Sequence, residues 1–219
     1  ERDRWPPLAG VFLFSPWTNL VSDTPTYYYN SFARRPLGAG GSGLQAYTGD
    51  IIFPGTPVQN SRIYRDVAVG YVARDEAMLT DPVASPFFAG EAEFGEASAP
   101  MYVVVSETEL IAGDSVVFAT KASRHGVEAH LEMFPGMWHD FPMYSEGCGT
   151  GRPLWQAQLA LNRTAEFVQA AAQRALAARA GHAGAAPCSE TDGAPPLRVS
   201  VHYGEPMARG EPWLEVLPL

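Results

Sequence analysis

Met101-Tyr-Val-Val-Val105 and Phe134-Pro-Gly-Met-Trp-His-Asp-Phe141 decide how this chain folds. The first is an unbroken apolar run of strand length, rich in β-branched residues. The second begins at the end of another strand, Ala129 to Phe134, where Ala129, Leu131 and Met133 alternate with His130, Glu132 and Phe134. Between the two, the spacing predicts a helix that Asp114 caps, that runs to about His125 and that Gly126 stops. Strand, helix and strand at this length make a right-handed crossover, so the two strands are parallel. Their carboxyl ends then lie on one side of the sheet, where α/β folds meet their ligands. Glu107, Glu109 and His139 all fall just past those ends.

Outward from this unit, Leu8 to Phe14 is a second apolar run, ending at Ser15-Pro16, and reads as another buried parallel strand. Thr18 to Gly55 is mixed, with a Tyr27-Tyr28-Tyr29 cluster and a glycine-rich patch from Gly38 to Gly43. It reads as one short helix and long loops, and residues 18–75 suit a lid or insert over a pocket. Ile63, Val67 and Tyr71 recur at helical spacing within Ser61 to Arg74, and so predict the buried face of a helix. Asp81-Pro-Val-Ala-Ser-Pro86 is an extended, proline-punctuated loop. Pro153 opens a long helix to about Arg179, with Leu154, Leu161, Ala165, Val168 and Ala172 on its predicted inner face. Residues 1–179 therefore form the α/β unit. Residues 180–219 are a Gly/Ala/Pro-rich tail in which Leu197 to Tyr203 has the pattern of an edge strand.

Composition narrows the function classes. Hydrophobic residues make up 46% of the 219 and charged residues 18%, enough for a packed core. The net charge of −9 argues against a nucleic-acid surface, which is usually basic. No apolar run approaches the ~20 residues of a membrane span. Two cysteines, Cys148 and Cys188, lack metal-ligand spacing and are too few for a disulfide scaffold, so reduced thiols and a cytoplasmic location are the expectation. His125, His130, His182 and His202 show no metal-site spacing either. Asn162-Arg-Thr164 is a formal glycosylation sequon inside a predicted helix.

An acid and a histidine at the ends of adjacent parallel strands make two thirds of a nucleophile–base–acid triad. A carboxylate on one imidazole nitrogen fixes the tautomer and stabilises the imidazolium formed when the other nitrogen takes a proton. The nucleophile is the missing part. Ser42, in Gly40-Gly-Ser-Gly-Leu44, follows no apolar strand and reads as a flexible loop. Ser15 is followed by proline and matches no nucleophile elbow.

Several ordered motifs resemble the C-terminal half of hormone-sensitive-lipase-like α/β-hydrolases. They are Gly10-Val-Phe-Leu-Phe-Ser-Pro-Trp-Thr-Asn-Leu20, Asp81-Pro-Val-Ala-Ser-Pro-Phe-Phe88, Ala99-Pro-Met-Tyr-Val-Val-Val-Ser-Glu-Thr-Glu-Leu110 and Phe134-Pro-Gly-Met-Trp-His-Asp-Phe-Pro142. The resemblance covers about Pro7 to Arg179. It implies a serine carboxylester hydrolase with His139 as the base and Glu109, 30 residues upstream where many members carry Asp, as the acid. Glu107 and Asp114 are the competing acids. Asn19, where many relatives have Asp, becomes a structural loop residue. Both the family's His-Gly-Gly-Gly oxyanion loop and its Gly-x-Ser-x-Gly elbow would precede Leu8, so the expectation is a C-terminal portion whose N-terminal strands and nucleophile elbow lie outside this chain. A small ester would be the substrate and the missing half of the domain the partner, with no cofactor and no metal. An amide or formamide hydrolase on the same scaffold and a non-catalytic binding module are the alternatives. A further expectation is that the strand Leu8 to Phe14 presents an unpaired apolar edge, unless the tail strand covers it.

Overall fold

The computed structural model describes residues 8–31, 33–36, 45–50, 52–53, 55–94, 99–147, 151–180 and 197–202. Ser42, Cys148, His182 and Cys188 lie outside them. Four parallel strands form the main sheet in the order β1 (Val11–Phe14), β4 (Met101–Ser106), β5 (Ala129–Phe134), β6 (Arg198–Val201). β4 is buried along all six residues because helices cover both faces of the sheet. On one face Val103, Val105 and Leu131 pack against Phe118, Ala119 and Ala122 of α3 (Ala112–Arg124). On the other, Tyr102, Val104 and Phe134 pack against Ala157, Ala160 and Phe167 of α4 (Trp155–Arg179).

The β4–α3–β5 crossover follows the sequence reading, and Gly126 lies just past the end of α3. Asp114 does not cap that helix. Ile111 is the capping residue, and the Asp114 carboxylate instead accepts from Thr24 Oγ1 (2.8 Å) and the Tyr27 hydroxyl (2.8 Å). The residues after β1 thereby dock on the start of α3. Asn19 is fully buried, its Oδ1 accepting from Val21 N–H, which is the structural loop role read from sequence. Ser85 of the proline-punctuated loop joins the same region: its hydroxyl accepts from Leu20 N–H and donates to the Thr18 carbonyl.

Residues 18–75 hold more structure than one short helix. After α1 (Thr26–Tyr29) comes an antiparallel pair, β2 (Ala33–Pro36) and β3 (Gln45–Thr48), then α2 (Pro57–Tyr71). α2 begins with a capping box between Thr56 and Gln59. Its inner face is one position on from the expected one. Tyr64 and Ala68 are buried, whereas Ile63, Val67 and Tyr71 are exposed. The aromatic cluster of Trp17, Tyr27 and Phe53 closes around Tyr64 and sets that rotation. α4 shows the same kind of shift. Ala157, Ala160, Thr164, Phe167 and Ala171 face the sheet, and Leu161, Ala165, Val168 and Ala172 face outward. Small residues let this helix approach the sheet closely, so side-chain size outweighs hydrophobicity there.

β6 is the edge strand expected from Leu197 to Tyr203, and it pairs with β5, not β1. The tail therefore extends the sheet at the end opposite β1 and does not cover the first strand. Glu132 in β5 secures this end, accepting from Arg163 Nε (3.0 Å) and Nη2 (2.8 Å) and pairing with His202. Among the described residues β1 has one strand neighbour, β4, and Leu8 and Phe12 beside it are exposed. No helix of the described residues is long and apolar enough to cross a membrane.

Candidate active site

At the carboxyl ends of β4 and β5 the chain turns twice, and the two turns face each other. The first, Glu107 to Ile111, carries Glu109. The second, Pro135 to Asp140, carries His139. Gly136 has φ of +74°, the left-handed value that the third position of a tight Pro-Gly turn demands. The two turns are stitched together below the side chains, since the hydroxyls of Ser106 and Thr108 both donate to the Met137 carbonyl. Phe134 and Phe141, both fully buried, pack at a tilt with 4.9 Å between their centroids and anchor the two ends of the second turn.

Glu109 Oε2 lies 2.9 Å from His139 Nδ1. Glu109 is fully buried, and the His139 side chain is 20% exposed. The other carboxylate oxygen, Oε1, accepts from Ser106 N–H at 2.9 Å, and the nearby Ser15 side chain favours the ionised carboxylate. Ser15 takes φ of +43° at the end of β1, and its oxygen accepts from Asp140 N–H at 3.1 Å. Asp140 is itself left-handed, with φ of +55°. Two non-glycine residues in a sparsely populated region, joined to each other beside the base, mark a place where backbone strain is held by surrounding contacts.

Burial pushes the Glu109 carboxyl up, against the opposing effects of His139, Ser15 and Ser106. Burial pulls the His139 imidazole down, but the Glu109 hydrogen bond and charge, together with the carboxylates of Asp140 and Asp50, outweigh it and raise its pKa. Both members of the pair move up for different reasons, Glu109 through burial and His139 through the carboxylates around it, and they titrate as a coupled pair. His139 Nε2, the nitrogen facing away from Glu109, lies 3.2 Å from Asp140 Oδ2. The edge of the Phe53 ring covers the imidazole at 5.4 Å.

The competing acids are elsewhere. Glu107 is exposed and contributes its backbone, its N–H donating to the Phe134 carbonyl and its carbonyl accepting from Asn30 Nδ2. Asp114 is turned toward Tyr27. Of the aromatic residues that sequence suggested as pocket lining, Trp17 and Tyr27 are packed around Tyr64, while Tyr28 and Tyr29 are exposed. Trp138, beside His139, packs edge-on against Tyr144.

Asp50 is the site residue that sequence reasoning missed. It is fully buried, and its carboxylate accepts from Leu110 N–H (3.1 Å) and Ile52 N–H (3.0 Å). Nothing in Thr48-Gly-Asp-Ile51 signals this, because its partners are backbone groups. Asn30 completes the support, donating to the carbonyls of Glu107 (2.7 Å) and Glu109 (3.0 Å) and accepting from Asp50 N–H (2.8 Å). Among the described residues no group of three or more His, Cys, Asp or Glu is placed to hold a metal ion.

Comparison with known proteins gives a consistent picture. A family model described as alpha/beta hydrolase fold matches residues 1–143. An esterase of Acinetobacter venetianus is 26% identical over 139 residues, which is 63% of this chain and 36% of that protein. The crystal structure of EstE5 soaked with ethyl alcohol superposes with a TM-score of 0.53 at 21% identity, over 78% of this chain and 46% of that one. A hormone-sensitive lipase from a metagenome library gives 0.52 at the same identity and coverage. The chain thus spans about a third of the esterase and under half of the solved structures.

Proposed function

Because the chain belongs to the alpha/beta hydrolase fold family, we propose that it is the C-terminal portion of a serine carboxylester hydrolase of the hormone-sensitive-lipase-like type, contributing the base His139 and the acid Glu109. The observation that carries this reading is the 2.9 Å contact between a fully buried carboxylate and an imidazole whose other nitrogen faces away from it. Its support is the match of motif order and fold to esterases. In this reading the nucleophilic serine and the oxyanion donors come from a segment outside the chain. Ser15 is buried at the end of β1, its oxygen accepts from Asp140 N–H, and it matches no nucleophile elbow.

The division of labour follows from the geometry. Glu109 holds Nδ1–H, so in the neutral ring Nε2 carries the lone pair. Nε2 takes the proton of the serine hydroxyl as the acyl carbon is attacked. The imidazolium is stabilised by the Glu109 carboxylate and then protonates the alcohol leaving group. Water repeats the cycle to release the acid. Asp140, whose carboxylate is on Nε2 here, is 39% exposed and can turn to solvent when a serine hydroxyl takes its place. The substrate is a small ester, and this chemistry requires no metal or cofactor. The domain boundary follows the same reading: residues 1–179 belong to the hydrolase domain, 18–75 to its lid region and 180–219 to a tail.

The test extends the reading frame upstream and assays short-chain p-nitrophenyl esters alongside the 219-residue chain. The extended protein should turn over and label with a fluorophosphonate on a serine other than Ser15 or Ser42, and the chain alone should do neither. His139→Ala should lower kcat by at least about 10³-fold. Full activity without His139 removes this reading. An extended protein that folds but neither labels nor turns over leaves a non-catalytic binding module in its place.

A further inference from the structure

We propose that Asp50 is a positioning residue for the Glu109–His139 pair, its buried carboxylate holding the turn that carries Glu109 and the segment that seats Phe53 on His139. The inference rests on the reading of Glu109 and His139 as acid and base. The carboxylate accepts from Leu110 N–H, next to the acid, at 3.1 Å. A second donor, Ile52 N–H at 3.0 Å, folds the chain back on Asp50 and sets Phe53 against the imidazole. The two contacts fix the acid and the ring that covers the base relative to one point.

The clamp is itself held. Asp50 N–H donates to the Asn30 carbonyl, while the Asn30 amide reaches the Glu107 and Glu109 carbonyls. Gly49, with φ of +94°, permits this approach. A Cβ there would stand 2.5 Å from the Asn30 carbonyl oxygen, so no other residue fits without moving the backbone.

An acid is an expensive choice for a purely structural loop. A fully buried carboxylate carries a desolvation penalty of several kcal/mol, which neutral acceptors avoid. What the charge adds is its field on the neighbouring imidazole. His139 is faced by Glu109 from the turn after β4, by Asp140 from its own turn and by Asp50 from the segment before α2. Tyr64 of α2 in turn feels the charges of Asp50 and Glu109. The two ring nitrogens face Glu109 and Asp140, so the Asp50 charge steadies the imidazolium without competing for either.

The experiment is histidine NMR on the chain, recording the His139 ring tautomer and pH titration in the parent, Asp50→Asn and Glu109→Gln, with near-ultraviolet circular dichroism as the check on folding. Asp50→Asn should keep the fold, release the His139 proton at lower pH than the parent, and exchange the Nδ1–H proton about tenfold faster, the loss of one hydrogen-bond-scale restraint. A His139 titration and exchange rate unchanged by Asp50→Asn would overturn the inference. If Glu109→Gln changes His139 and Asp50→Asn does not, only the role of Asp50 fails. If neither changes it, the acid–base pairing fails with it. Should Asp50→Asn not fold, the parent decides. The amide signals of Leu110 and Ile52 should move with the His139 ring through a shared inflection, and independent titration would refute the clamp.

Discussion

Glu109 and Asp114 are both fully buried, and one helical turn of chain separates them. Glu109 accepts from an imidazole that is 20% exposed. Asp114 accepts from the hydroxyls of Thr24 and Tyr27, which lie inside the protein. Burial pushes the Asp114 carboxyl up to about 6, and pushes the Tyr27 phenol far above its ordinary range. Tyr27 therefore keeps its proton and passes it nowhere. Burial and a shifted titration alone do not distinguish a working acid from a structural one. The difference lies in the partner: only His139 can take a proton near neutrality and present a second nitrogen toward the open side of the site.

That difference is broken most directly by neutralising each acid in turn in the protein that carries the nucleophile. Glu109→Gln offers an amide where Nδ1–H needs an acceptor and favours the wrong tautomer. Its kcat on short esters should fall about 10³–10⁴-fold with KM little changed. Asp114→Asn touches no reacting atom and should stay within about threefold. A larger loss from Asp114→Asn than from Glu109→Gln would exchange the two assignments.

Most of the Glu109 side of this contrast is legible in the sequence, and most of the Asp114 side is not. β4, β5 and the Pro135-Gly136 turn are local patterns, and a parallel crossover leaves little freedom in where their ends meet. Asp114 reads as a helix cap because the residues it serves, Thr24 and Tyr27, come from a loop with no periodicity. Asp50 is silent for the same reason: its partners are backbone N–H groups at 52 and 110, which present no side-chain pattern. The inner faces of α2 and α4 mislead because both helices carry two competing stripes. On α2 the larger aliphatic stripe is outside, and on α4 alanines take the inner positions. Tertiary packing, here the aromatic cluster around Tyr64 and the closeness of α4 to the sheet, selects between such stripes.

A smaller effect sharpens the contrast through pH. The folded Asp114 carboxyl titrates at about 6 against an ordinary value of 3.8. Between these values the folded protein holds a proton that the unfolded chain has released. Stability from this group is therefore greatest below 3.8, falls as pH rises through the window and is level above about 6. The total is about 3 kcal/mol. Asp114→Asn lacks this titration. The unfolding free energy of the parent minus that of Asp114→Asn, from urea titrations, should rise as pH is lowered from neutral to about 4. A constant difference across that range would show that Asp114 is not a buried acid in this sense.

The smallest expected effect concerns the helix that lies behind both acids. Tyr64 on the inner face of α2 stacks edge-on with Tyr27, which holds Asp114, and tilts against Phe53, which covers His139. Through one ring, α2 supports the structural carboxylate and the candidate active one together. Val67, on the outer stripe, is 53% exposed and shares in neither contact. Val67→Ser should change unfolding free energy by no more than about 0.5 kcal/mol, as exposed substitutions do, and leave the His139 titration where it was. A loss above about 1 kcal/mol would mean that this stripe is covered in solution. Helix α2 would then have the rotation its sequence first suggests, with Ile63, Val67 and Tyr71 inward. Tyr64 would then turn away from both sites, and the two acids would have no common support.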